Sequence, residues 1–78
     1  MHNPIVATVD ARGLACPLPL TMAKRKLADL APGEALLVMA TDPEAPIDLA
    51  AWAAEDGHGY EQRDLPGWTE FVIRKGGA

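Results

Sequence analysis

The chain has 78 residues, 49% hydrophobic and 23% charged, with a formal net charge of −4 and a single cysteine, Cys16. That balance excludes a disordered chain, the acidic charge argues against direct nucleic-acid binding by counterion release, and one thiol excludes an internal disulfide, a CxxC redox pair and a Cys/His zinc cluster. One small domain over residues 1–78 is expected, with a single core and little apolar surface to spare.

The N-terminal MHNPIVATVD has no charged region followed by a long apolar run, and no segment reaches membrane-spanning length. The expectation is a cytoplasmic protein without membrane insertion, in a compartment that suits a free thiol. Ile5 to Val9 is rich in β-branched residues and closes on Asp10-Ala11-Arg12-Gly13, which predicts a first strand. From Pro17 to Leu30 the spacing becomes helical, with Leu20, Ala23, Leu27 and Leu30 on one face and Lys24, Arg25, Lys26 and Asp29 mostly off it. Ala31-Pro32-Gly33 stops that helix.

Ala35 to Ala40 is continuously apolar, as in a strand covered on much of both sides, and Thr41-Asp42-Pro43-Glu44 ends it with turn chemistry. A second helix is predicted from about Pro46 to Asp56, with Leu49, Trp52 and Ala53 inward and further alanines raising its propensity. Gly57-His58-Gly59 ends it, and His58 reads as a turn residue. Tyr60–Leu65 and Thr69–Lys75 form a hairpin around Pro66-Gly67-Trp68. Trp52 belongs to the core, whereas Trp68 reads either as a half-exposed anchor for a partner or as a lid over the core.

The order is β-α-β-α-β-β. Right-handed helical crossovers make the first three strands parallel, with the fourth reversed. Their C-terminal ends share one rim, which collects the loop leading to Cys16, the Thr41-Asp42-Pro43 loop and the Pro66-Gly67-Trp68 turn, and ligands of open α/β sheets favour such an edge. Both helices on one face would give a two-layer sandwich; the residues alone also allow a split arrangement.

GLACPLPL, residues 13–20, holds the thiol. A helix starting at Pro17 makes Cys16 its N-cap, with Pro17 at N1 and Pro19 at N3, where the missing N–H groups cost little and the rings stiffen the first turn. Leu18 keeps the one good donor there. The helix terminus contributes about 0.3–1 kcal/mol, so it lowers a thiol pKa of about 8.5 by roughly one unit, and Arg12 stands near enough in sequence to help. Most lone cytosolic cysteines are inert packing residues, but this placement favours a reactive one. His2 and His58 lie far from Cys16 in sequence, which gives a Cys–His hydrolase little support. Without a resolving thiol, what remains is a cysteine that accepts a group and hands it on.

Asp10-x-x-Gly13-Leu14-x-Cys16-Pro17-x-Pro19 resembles the signature of the TusA-like (SirA-like) sulfur-carrier family, including its CPxP motif. Pro32-Gly33-Glu34, Thr41-Asp42-Pro43 and Ile73-Arg74-Lys75-Gly76 resemble family features in the same order. The resemblance implies an α/β (α+β) two-layer sandwich, with a mixed four-stranded sheet and two helices on one face, similar to the C-terminal domain of bacterial translation initiation factor three. It implies that Cys16 takes sulfane sulfur as a persulfide from a cysteine desulfurase or rhodanese-like donor. An acceptor protein of a sulfur relay then receives it, for tRNA thiolation, molybdenum-cofactor assembly or other sulfur metabolism. Such a sulfurtransferase-type carrier is consumed and regenerated at each transfer. It needs no cofactor or metal and is a monomer when free.

Pro17 and Pro19 set the geometry of the thiol and Gly13 allows a tight approach. Arg12, Lys24 and Asp42 are candidate partner contacts. Asp42 reads first as a turn or capping residue, and Lys24-Arg25-Lys26 as a solvated face or a cluster that steers an acidic partner. The alternatives are a redox-sensing or regulatory interaction module using the same cysteine, and a structural adaptor. The Ala-rich second helix departs from the tRNA-thiolation carriers and leaves partner identity open.

Overall fold

The computed structural model describes residues 5–77, and His2 lies outside them. Along the chain run β1 (Ile5–Ala11), α1 (Leu18–Ala28), β2 (Ala35–Ala40), α2 (Ala45–Asp56), β3 (Gly59–Leu65) and β4 (Trp68–Arg74), the order expected. The sheet order is β1-β2-β4-β3. β1 pairs parallel with β2, while β4 runs antiparallel to both β2 and β3. The first three strands therefore share a direction and a rim, but β3 is no neighbour of β2, because the hairpin places β4 between them.

Register decides which face is buried. Val9 lies opposite Val38 and Val38 opposite Phe71, Ala11 opposite Ala40, and Leu36 opposite Ile73. All of these are buried, in one cluster with Ala23 and Leu27 of α1 and Ala45, Leu49 and Trp52 of α2. Both helices thus cover the same face, which makes two layers. Small side chains at Ala11, Ala23, Ala40, Ala45 and Ala53 let the helices approach, while Ala51 and Ala54 are exposed and serve helix propensity alone. Pro19, Ala23 and Leu27 are the buried residues of α1, and Leu20 and Leu30 are only half-buried at its margins.

β2 departs from the expectation of cover on both sides. Leu37 and Met39 point to the face without helices and are half-buried, screened only by sheet neighbours such as Val72 and Glu70. Its unbroken apolar run reflects a central position in the sheet. Trp68 points to this same face, in register with Leu65 across the Pro66-Gly67 turn, where Gly67 has φ 94°. It is half-buried and no lid over the core.

The chain end is tied in. Lys75 donates its N–H to the Glu34 carbonyl at 2.8 Å and its own carbonyl accepts from Gly33 N–H at 2.8 Å. Gly76 N–H donates to Nδ1 of His58 at 3.0 Å, and His58 stands edge-on to Trp52 with ring centroids 5.3 Å apart. His58 is therefore a strap point as well as a turn residue. Among the described residues no helix is long and apolar enough to cross a membrane.

Candidate functional site

Two helix N-termini meet at the rim, because α1 follows β1 and α2 follows β2 and both strands end there. The loop between β1 and α1 turns at Gly13, whose φ of 81° favours glycine. A Cβ at Gly13 would meet nothing within 4 Å, so the glycine serves this backbone conformation and not the close approach expected of it. Its N–H donates to Thr41 Oγ1 at 2.8 Å, which ties the first rim loop to the second.

Helix α1 begins one residue later than expected. Pro17 is the N-cap, with no side-chain capping bond, and α1 opens at Leu18. Cys16 stands just outside the helix, joined to Pro17 by a cis peptide bond. Pro17 is exposed, whereas Pro19 is fully buried and roots the first turn in the core. The Leu18 N–H donates to the Ala15 carbonyl at 2.9 Å. The Leu18 amide is thus taken by the backbone and is not offered to the sulfur.

Acidic residues take that place. The Cys16 backbone N–H donates to Asp42 Oδ2, and Asp42 Oδ1 accepts the Glu44 N–H at 3.0 Å, so one carboxylate caps its own turn and holds the cysteine loop. The Cys16 thiol donates to Asp48 Oδ2, with Sγ at 2.9 Å from the oxygen. These neighbours reverse the expected shift. The bond to Asp48, then desolvation, then the charges of Asp48, Asp42 and Glu44 push the Cys16 thiol from 9.0 up to about 11. A local positive helix end loses to three nearby carboxylates, one of them in direct contact.

Arg12 does not offset them. Its guanidinium holds Asp10 through bonds of 2.9 Å from Nε and from Nη2, and its Cζ lies 5.3 Å from the Trp68 ring centroid. That contact draws Asp10 well below the usual carboxylate range, to about 2. Trp68 Nε1 in turn donates to Glu70 Oε2 at 3.4 Å. Lys24 is also remote from the thiol. Six residues along α1 from Leu18, about 9 Å down the helix, it lines a cleft with Trp52, Asp56, His58 and Lys75.

Of the residues expected at the site, Gly13, Cys16, Pro17, Pro19 and Asp42 are brought together, and Arg12 and Lys24 are not brought to the sulfur. Asp48, Glu44 and two apolar residues were not expected there. Leu18 and Ile47, 47% and 64% exposed, lie in the first turns of α1 and α2, the helices next to the cysteine loop and bearing Asp48, and leave apolar surface uncovered there. Among the described residues no group of three or more His, Cys, Asp or Glu side chains forms a metal site. Cys16 is a free, exposed thiol on this rim.

The family described as Sulfurtransferase TusA matches residues 7–75. The sulfur carrier protein TusA of Pseudomonas paraeruginosa is 42% identical over 76 residues, covering 96% of each chain. YrkF of Bacillus subtilis is 43% identical over 70 residues, which take 88% of this chain but only 38% of that longer protein. The crystal structure of a SirA-like protein from Desulfitobacterium hafniense superposes with a TM-score of 0.82 at 30% identity, covering 92% of this chain and all of the other. With its CPxP cysteine on the shared rim of a two-layer sandwich, the chain belongs to the TusA family of sulfur carriers.

Proposed function

We propose that this protein carries sulfane sulfur as a persulfide on Cys16, between a cysteine desulfurase or rhodanese-like donor and an acceptor of a sulfur relay in the cytoplasm. One observation carries the reading: the only cysteine of the chain is exposed, in the CPxP stretch, on the rim of a TusA-family fold. The Cys16 thiolate attacks the terminal sulfur of a donor persulfide. The donor's S–S bond breaks, its cysteine leaves as a thiolate, and a new S–S bond holds the sulfur on Cys16. Delivery is the same step run onto an acceptor thiolate. Neither step needs an outside oxidant or reductant.

Pro17 and Pro19 fix where the sulfur is presented. Leu18 and Ile47 supply apolar contact, and Asp42 lies where a docking partner would meet it. A perthiol is a stronger acid than a thiol, so the loaded carrier is ionised where the empty one is not. The test is incubation with radiolabelled cysteine and each of several cysteine desulfurases, or with thiosulfate labelled in its sulfane sulfur and each of several rhodaneses. Label retained by the wild type, released by dithiothreitol and absent from Cys16→Ser supports the carrier. Failure of every donor to label the wild type removes the reading.

A further inference from the structure

We propose that Asp48 is a positioning residue that distinguishes the empty carrier from the loaded one: it holds Cys16 Sγ through the thiol proton and releases it when sulfur replaces that proton. This rests on the carrier role proposed above. The geometry supplies the logic. An ionised carboxylate only accepts hydrogen bonds, so the 2.9 Å contact between Sγ and Asp48 Oδ2 requires a proton on sulfur. In a persulfide Sγ is bonded to Cβ and to the second sulfur and has no proton. The second sulfur, once ionised, is an anion beside carboxylates.

Among the described residues no cationic side chain is held against the sulfur to offset that repulsion. The loop after β2 presents Asp42 and Glu44, α2 presents Asp48, and the Ala15–Leu18 segment has no charged side chain. Arg12, at the start of the first loop, is engaged with Asp10 and Trp68. The empty thiol is therefore held against the first turn of α2 and kept mostly protonated, so that only its minor thiolate fraction attacks a donor. The loaded sulfur loses its hydrogen bond, gains a repulsion and turns outward between Leu18 and Ile47, toward an acceptor. The backbone bond from Cys16 N–H to Asp42 involves no sulfur and stays, so the movement is confined to the side chain.

Two measurements test this without any sulfur donor, so the carrier reading and this one fail separately. The first is the pH profile of Cys16 alkylation by iodoacetamide in the wild type, Asp48→Asn and Asp48→Glu. Asp48→Asn leaves desolvation and the charges of Asp42 and Glu44 in place; a fall of about one unit in thiol pKa raises the thiolate fraction at pH 8 roughly tenfold, the lower nucleophilicity removes about threefold, and the variant should react about three times faster. Asp48→Glu, which keeps the charge, should stay near wild type. If Asp48→Asn does not fold, thiolate absorbance in the wild type decides: a midpoint above the ordinary 9.0 supports the inference and one at or below it overturns it.

The second measurement mimics loading. Methyl methanethiosulfonate converts the Cys16 thiolate to the S–S–CH3 disulfide with loss of methanesulfinate, which removes the proton without adding charge. The Asp48 carboxyl carbon should shift in the NMR spectrum and the amides of the first turn of α2 should exchange faster. An unchanged Asp48 signal and unchanged exchange overturn the proposal.

Discussion

Lys75→Met tests how α1, the helix that carries the cysteine loop, is anchored at its far end. The last carbonyls of a helix lack internal partners. Here the Lys26 carbonyl accepts the Asp29 N–H at 3.1 Å and the Leu27 carbonyl accepts the Leu30 N–H at 3.0 Å. The carbonyls of Leu30 and Ala28 are met by the Lys75 ammonium, at 2.7 and 3.5 Å. Methionine keeps the aliphatic stem and both backbone bonds of residue 75, so the substitution isolates the charged head. A hydrogen bond to a charged group contributes about 1.5–3 kcal/mol. The charge at a helix C-terminus adds about 0.3–1 kcal/mol.

Lys75 is half-buried, so water recovers part of this and a net loss of about 1–2 kcal/mol is expected. For a domain of this size that lowers Tm by about 4–15 °C. Calorimetry reads the shift, and amide exchange at Leu30 and Gly33 locates it. Cys16, at the opposite end of α1, should keep its wild-type alkylation profile. A Tm within about 2 °C of wild type would refute the reasoning, because the carbonyls would then be equally well served by solvent.

Phe71→Ala should cost about 3–5 kcal/mol, since Phe71 is fully buried among both layers; a urea midpoint that barely moves would contradict the packing. Gly76→Ala places a Cβ 2.2 Å from the Gly57 carbonyl oxygen. The strap to His58 should open at a cost near one hydrogen bond, about 1 kcal/mol, read as lost protection of the Gly76 amide, and retained protection would count against it. Asp10 should titrate near pH 2 by carboxyl NMR and return to about 3.8 in Arg12→Ala. Its folded pKa is depressed, so its stabilising contribution is present above the ordinary carboxylate pKa and fades as pH falls through about 2; a midpoint near 3.8 in the wild type contradicts the Arg12 contact.

Most of the fold was legible because periodicity and punctuation report on local structure. The two alternating strands around Pro66-Gly67, the helical stripe through Ala23 and Leu27 and the glycine at 57 each fall within a residue or two of the observed elements. β2 was read as covered on both faces because Leu37 and Met39 are as apolar as their neighbours. Sequence cannot tell cover by a helix from cover by adjacent strands.

The site was half legible. Cys16, its prolines and the Asp42 loop stand in the motif, and topology sends them to one rim. The thiol's electrostatics do not follow from its sequence neighbours, the helix end and Arg12. The deciding partner, Asp48, is 32 residues away. A signal was available: α2 starts on the same rim as α1, and Asp42, Glu44 and Asp48 stand at that start.

The central claim is that Cys16 is the sulfur-bearing atom of a relay. The most direct measurement is intact mass spectrometry after incubation with a cysteine desulfurase and cysteine, followed by fragmentation of the peptide that contains Cys16. The account predicts the mass of one added sulfur atom, located on Cys16, lost on mixing with an acceptor thiol and absent in Cys16→Ser. An unchanged mass with every donor, or added sulfur that persists in Cys16→Ser, would contradict it.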